Sequence, residues 1–132
     1  MKYSERTRRY FDDPPTAGSL TGPDTVHGAA GSRAQGTWVQ FDLRLAAPGT
    51  AGSGTSLEIA AARFSAFGCP HVIAVAAWLA EQAVGRRAEP ALPESVQALR
   101  MRFEAPVEKL GRLLIVEDAW IAAMRAAAGA SH

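Results

Sequence analysis

Hydrophobic and polar positions follow two rhythms along the chain. In "WVQFDLRL" they alternate: Val39, Phe41, Leu43 and Leu45 fall on one side, Gln40, Asp42 and Arg44 on the other. That is the period of a half-buried strand, predicted over roughly Thr37–Leu45. A second strand is predicted over roughly Leu57–Phe67, where Leu57 and Ile59 flank Glu58. Alanines at 60–62 blur its phase and suit a bulge. Between the two, "APGTAGSGTS" is rich in glycine and serine and fits an antiparallel return.

Elsewhere the rhythm is helical. Residues 3–12 place Tyr3, Thr7, Tyr10 and Phe11 on one face and arginines on the other, and Pro14 and Pro15 stop that helix. Residues 16–36 read as irregular chain, with a weak edge strand around Thr25–Ala30. Residues 70–84 are apolar on nearly every side, which predicts a central, buried helix over Pro70–Val84. Gly85 ends it, with Arg86 and Arg87 at its negative pole. A short helix opens at Pro93 and Glu94, with Val96 and Leu99 inward. The last helix is predicted over Glu108–Ala127, with Leu110, Leu113, Leu114, Trp120, Ile121 and Met124 as its apolar stripe, and "AAAGASH" frays. The order predicts one α+β domain over residues 1–132: a small, mainly antiparallel sheet with helices packed on one face. Its expected core includes Val39, Phe41, Leu43, Ile73, Ala77, Leu114 and Ile121.

Composition narrows the function. A net charge of +1 gives no global field that points to nucleic acid or an acidic membrane surface. No apolar run approaches the ~20 residues of a spanning helix. "MKYSERTRRYFDD" lacks the apolar segment of a secretory signal. A single cysteine makes no internal disulfide. A cytoplasmic protein is expected, in which the thiol stays reduced.

That cysteine, Cys69, stands in "FGCPH", between the second strand and the central helix. A helix N-terminus favours a thiolate, which is both the nucleophile and the metal ligand. His71, in the same turn, is a candidate base, metal ligand or hydrogen-bond donor. The plain alternative is that Cys69 packs and His71 is a surface or capping residue. No phosphate-cradling loop, dinucleotide fingerprint, HExxH helix or CxxC pair is present. Arg6, Arg8 and Arg9 read as a solvated face, and Glu117 and Asp118 as solvated or salt-bridged carboxylates. Thiol catalysis needs a base within reach and an orienting third group. Residues two apart do not share a helix face, so the chain is not read as an enzyme.

Four segments together resemble the iron–sulfur cluster assembly scaffolds of the IscU type, equivalent to the N-terminal domain of NifU. They are "YSERTRRYFDDPPTAGSL", "GAAGSRAQGTWVQFDLRL", "ARFSAFGCPHVIAVAAWLAEQAVGR" and "VEKLGRLLIVEDAWIAAM". The resemblance spans nearly the whole chain. It implies a site of three cysteines, an aspartate and a histidine that builds a [2Fe–2S] cluster. Aligned on the neighbouring glycines, the first cysteine falls on Gln35, the aspartate on Thr37, and the His-Cys pair on Gly111 and Arg112. Only Cys69 remains. The resemblance therefore implies a degenerate member whose Gln35, Thr37, Cys69 and Arg112 converge on one surface patch. Arg112 then brings positive charge toward Cys69.

The expected role is accessory or regulatory in iron–sulfur cluster assembly or sulfur trafficking. Cys69 is the candidate sulfur acceptor, and a cysteine desulfurase or another assembly protein the expected partner. The family's chaperone segment is echoed only by "APVEK" at 105–109. No cofactor is expected in the monomer. An iron–sulfur cluster or iron is expected only if a homodimer pairs two copies of Cys69 and His71, with His27 the other borderline ligand. The alternative is an interaction module with neither metal nor sulfur chemistry.

Overall fold

Thr37–Leu45 is the middle strand of a three-stranded sheet, and its alternation explains why. The computed structural model describes residues 3–46 and 58–130. In chain order the elements are α1 (Glu5–Asp12), β1 (Thr25–Ser32), β2 (Thr37–Leu45), β3 (Ile59–Phe67), α2 (Pro70–Ala83), α3 (Val96–Arg102), a 3-10 turn (Val107–Lys109) and α4 (Leu110–Ala130). The sheet order is β1-β2-β3, antiparallel throughout. Val39, Phe41 and Leu43 are fully buried, and opposite them on β3 stand Ala66, Phe64 and Ala62. α2 and α4 close on this face, where the Phe41 and Trp120 rings meet edge-on at 5.7 Å. The expected α+β fold, with helices on one face, is the one observed. The expected bulge is there too. Arg44 faces Ala61 and Leu45 faces Ile59, which leaves Ala60 as the extra residue. Leu57 and the loop "APGTAGSGTS" lie outside the described residues.

β1 departs from expectation. Instead of a weak strand it pairs with β2 along eight residues. Its glycines have a packing role. A Cβ on Gly28 would fall 2.0 Å from the backbone nitrogen of Ala123. One on Gly31, whose φ is +85°, would fall 2.2 Å from the Thr37 carbonyl oxygen. α4 thus lies directly on the β1 backbone, which no side chain other than hydrogen permits.

The helices mostly follow their signals. Ser4 caps α1 through the Thr7 N–H, and Thr7 Oγ1 donates to the Phe103 carbonyl at 2.9 Å. Tyr10 donates to Glu81 at 2.7 Å and meets Phe103 edge-on. Phe11, expected inward, is exposed, because Thr7 and Tyr10 define the buried face and Phe11 lies a further 100° round the helix. α2 ends before Gly85, whose φ of +87° suits only a glycine-type stop. In α4 the buried stripe is Leu113, Val116, Trp120, Ala123 and Ala127. Leu114 falls off that stripe and is 46% exposed, not core; Ile73 and Ile121 pack at the core's margin. Helix continues to Ala130, beyond the fraying expected after Ala127.

The opposite face of the sheet is partly covered. Residues 16–18 pair beside Phe64 on β3, and the chain then crosses β2 toward β1. Leu20 N–H donates to Asp42 Oδ2 at 2.9 Å, and Gln40 Nε2 and His27 Nδ1 donate to Oδ1 at 2.9 and 2.8 Å. Asp42 does face away from the helices, as its alternation predicts, yet it is buried beneath this crossing. Burial alone would raise its carboxyl; the hydrogen bonds from Gln40, His27 and the Leu20 N–H outweigh that and hold it below its ordinary value.

Two outcomes follow. Gly28→Ala should cost about 3 kcal/mol or more in urea unfolding, because the obstructing atoms are backbone; an unchanged midpoint would refute the close approach. The Asp42 contribution is fully present above the unfolded carboxylate value near 3.8 and is lost as pH falls through the lower folded value. Asp42→Asn should flatten that acid limb and cost about 1–3 kcal/mol at neutral pH, since it leaves buried donors poorly matched.

Candidate functional site

Three segments meet at one end of the sheet. The turn Arg33–Gly36 joins β1 to β2, closed by Gly36 N–H to the Arg33 carbonyl (3.0 Å) and Gln35 N–H to Ser32 Oγ (3.1 Å). β3 ends beside it, with Phe67 opposite Trp38. The chain then turns through Gly68, where a Cβ would come 3.4 Å from Val72 Cγ1 and 3.7 Å from the Gly36 carbonyl oxygen. The turn and the strand–helix junction are therefore in contact. α4 runs down β1 from this end, because Ile115 lies against Gly31 whereas Ala122 and Ala123 lie against Gly28. Gly111 and Arg112, both exposed, precede Ile115 and stand at the turn end.

Cys69 is the N-cap of α2, with extended backbone (φ −76°, ψ 164°) and Pro70 in the first turn. Its side chain caps no backbone N–H, so the thiol is not consumed by the helix. It is partly buried and packs at the edge of the core. Gln35 is exposed on the turn, whereas Thr37, expected on a surface patch with it, shares the inward phase of Val39 and is 1% exposed.

His71 is neither a surface nor a capping residue. It is 1% exposed, with its ring 4.9 Å from that of Tyr3 in an edge-on contact. Nδ1 has no hydrogen-bond partner among the described residues. Burial, and then the charge of Lys109, hold its basicity below the ordinary histidine value. A twofold metal site needs this ring to point outward, and it does not. His27 is also separate. It pairs with Asp42 five residues along β1 from Ser32, roughly 16 Å at the usual strand rise.

At the positions that the resemblance gives to the ligands, the side chains present are one thiol, one hydroxyl, one amide and one guanidinium. Among the described residues no three His, Cys, Asp or Glu side chains are placed to hold a metal ion. A [2Fe–2S] cluster takes four thiolate or imidazole ligands. The residues here do not fit one. Sequence reasoning missed the surroundings of the thiol. The charge of Lys109 bears on the buried His71, and Arg33 lies 5.3 Å from the Phe67 ring centroid. The one available signal was that Trp38 and Phe67 occupy the polar phase of their strands.

Residues 2–127 match the family described as the NifU-like N-terminal domain. Over 85 residues, 64% of the chain, the sequence is 36% identical to the bifunctional protein NifU/MnmA of Rubrobacter xylanophilus, and it spans 16% of that protein. The crystal structure of the N-terminal part of a nitrogen-fixing NifU-like protein from Brucella abortus superposes with a TM-score of 0.64 at 18% identity, covering 92% of this chain and 91% of that one. A Fervidobacterium islandicum AW-1 protein, assigned as an iron–sulfur cluster assembly scaffold for the SUF system, gives 0.61 at 12% identity, covering 92% and 96%. At such identities these two structures speak to the fold, and it is the same fold.

The buried ring yields a pH test. With its folded value below the ordinary 6.5, His71 lets the unfolded chain bind a proton first. Stability should be full above about pH 6.5 and fall below it, by at most about 1.4 kcal/mol per pH unit. His71→Leu should abolish that limb while changing stability at pH 8 by no more than about 1 kcal/mol. A limb that persists in the variant would assign it to another group.

Proposed function

The chain belongs to the NifU-like N-terminal domain family, and on that premise we propose that it serves iron–sulfur cluster assembly as an accessory, scaffold-like protein that carries sulfur on Cys69. One observation supports this above others. A single thiol stands at the contact of the Gly36 turn and the Gly68 junction, at a helix N-terminus, and among the described residues no three His, Cys, Asp or Glu side chains are placed to hold a metal ion. Such an arrangement suits one sulfur atom rather than a cluster. The expected partner is a cysteine desulfurase, and the expected compartment is the cytoplasm, where a lone thiol stays reduced.

The chemistry needs no outside oxidant. The Cys69 thiolate attacks the outer sulfur of a persulfide on the donor protein. The donor S–S bond breaks and its electron pair leaves with the donor thiolate. A new S–S bond forms on Cys69, which now holds the persulfide. The chain receives sulfur and is not itself the enzyme that releases it. In the Rubrobacter relative, NifU is joined with MnmA in one bifunctional protein, which fits a domain that works by handing material on.

A second reading, an interaction module without sulfur chemistry, is favoured by the packing of Cys69 against the core. Two measurements separate them. After incubation with a cysteine desulfurase and cysteine, the intact mass of the wild type should rise by one sulfur atom, and Cys69→Ser should not gain it. Anaerobic reconstitution with iron and sulfide should leave both proteins far short of one cluster per chain. A stoichiometric cluster in the wild type would refute the accessory reading, and an unchanged mass would favour the interaction module.

A further inference from the structure

The two edges of the sheet differ. That of β3 is covered, because residues 16–18 pair with Phe64 and Glu58 bridges to Arg87. That of β1 is open. Leu45 N–H donates to the Asp24 carbonyl in the register of the β1–β2 ladder. The even-numbered residues of β1 therefore turn their backbone groups to β2, and Thr25, His27 and Ala29 turn theirs outward. Nothing among the described residues pairs with them there. Sheet edges are ordinarily guarded by a charge, a proline or a bulge. The eight residues of β1 hold no proline and no Asp, Glu, Lys or Arg, and their register against β2 is unbroken. His27, the one titratable side chain, is tied to Asp42 of its own chain. Ala29 and Gly31 are exposed.

α4 runs beside this edge. Ile115 and Ala122 border Gly31 and Gly28 of β1, whereas Trp120 reaches Phe41 of β2 from another side of the helix. Ile115, Asp118, Ala122 and Arg125 recur at spacings of three and four, so they share one stripe on the β1 side. Asp118 and Arg125 are exposed, and neither makes an ion pair among the described residues. The open stretch of β1, residues 25–31, is centred on Gly28, which α4 passes at Ala122 and Ala123. Along the helix Asp118 lies roughly 7 Å before that point and Arg125 roughly 4 Å after it.

We propose that the β1 edge is the interface of a homodimer, in which a second copy of this chain adds its own β1 antiparallel about a twofold axis at Gly28 and joins the two three-stranded sheets into one. With the axis at that residue, outward groups meet outward groups: His27 stands opposite the partner's Ala29, and Thr25 opposite the partner's Gly31. The same axis sets the two α4 helices antiparallel and side by side. Ala122 meets its counterpart, and its small side chain suits the approach of ~8–10 Å at which helices pack. Asp118 of one copy comes beside the partner's Arg125, and the pair occurs twice by symmetry. This complementarity selects a second copy over an unrelated strand, because the stripe carries an acid and a base on opposite sides of its own midpoint. The interface leaves Cys69 open. The thiol follows β3, at the far side of the sheet from β1, and the two thiol ends point in opposite directions. It is a different dimer from one that would join two copies of Cys69 and His71.

The test is sedimentation of the full chain from about 10 μM to about 1 mM, with thermal melting as a check on folding. The wild type should pass from one chain to two over that range. Ala29→Pro removes an outward N–H that the monomer does not use, so it should stay folded and monomeric throughout. Asp118→Arg and Arg125→Asp each set like charges side by side, twice, and each should weaken the dimer at least about tenfold. The double variant restores opposite charges and should recover the wild-type association, which damage to the fold could not produce. If proline strains the strand, these reversals at exposed helix positions decide the matter unaided. A wild type that stays monomeric at every concentration would overturn the proposal. So would a dimer indifferent to Ala29→Pro, or single reversals that the double variant fails to rescue. Association lost in Cys69→Ser and kept in Ala29→Pro would overturn it in favour of pairing at the thiol.

Discussion

The seating of α4 on the bare backbone of β1 is the constraint from which the rest of the fold takes its position. Helix and strand touch where Gly28 and Gly31 have no side chains, and that contact fixes how far α4 can slide along the sheet. With the slide fixed, Trp120 lands on Phe41, and its indole N–H reaches the Ala91 carbonyl at 2.8 Å. The connection after α2 is thereby held against α4. The first turn of α4 is brought, by the same contact, to the end of the sheet where the Gly36 turn and the Gly68 junction lie. A side chain at either glycine would push the helix off the strand and carry Gly111 and Arg112 away from that end.

This contact also explains which parts of the fold were legible in the sequence. β2, α2 and the bulge near Ala60 announce themselves through local rules: alternation, an all-apolar helix, a blurred phase. β1 does not. Its glycines and alanines lower strand propensity and look like loop, yet they are there because a helix backbone must come close. The burial of Asp42 and His71 and the exposure of Leu114 were not legible for a related reason: they are decided by what lies over each position, the crossing segment over Asp42, Tyr3 over His71, and the drift of the apolar stripe past Leu114. Periodicity specifies a direction and cannot say whether anything stands there.

The site divides in the same way. Its location followed from glycines, which the fold needs at turns and close contacts. Gly36 and Gly68 meet whatever occupies positions 35, 37 or 69. The identity of the ligands is a separate matter carried by side chains alone. Thr37 shows the difference. It occupies a position buried to 1% exposure, where a carboxylate would need a metal or strong donors to offset its desolvation. A hydroxyl tolerates that burial at far lower cost.

Charge then decides what such an end can attract. An iron–sulfur site gathers thiolates because their negative charge offsets that of the iron ions. Here no three His, Cys, Asp or Glu side chains among the described residues are placed to hold a metal ion, and Arg112 stands where the resemblance sets a cysteine. A guanidinium opposes a divalent metal and favours an anion. The persulfide proposed for Cys69 would be such an anion at neutral pH. The proposed acceptance of one sulfur atom on Cys69 therefore asks less of this end than a cluster would, which needs four thiolate or imidazole ligands.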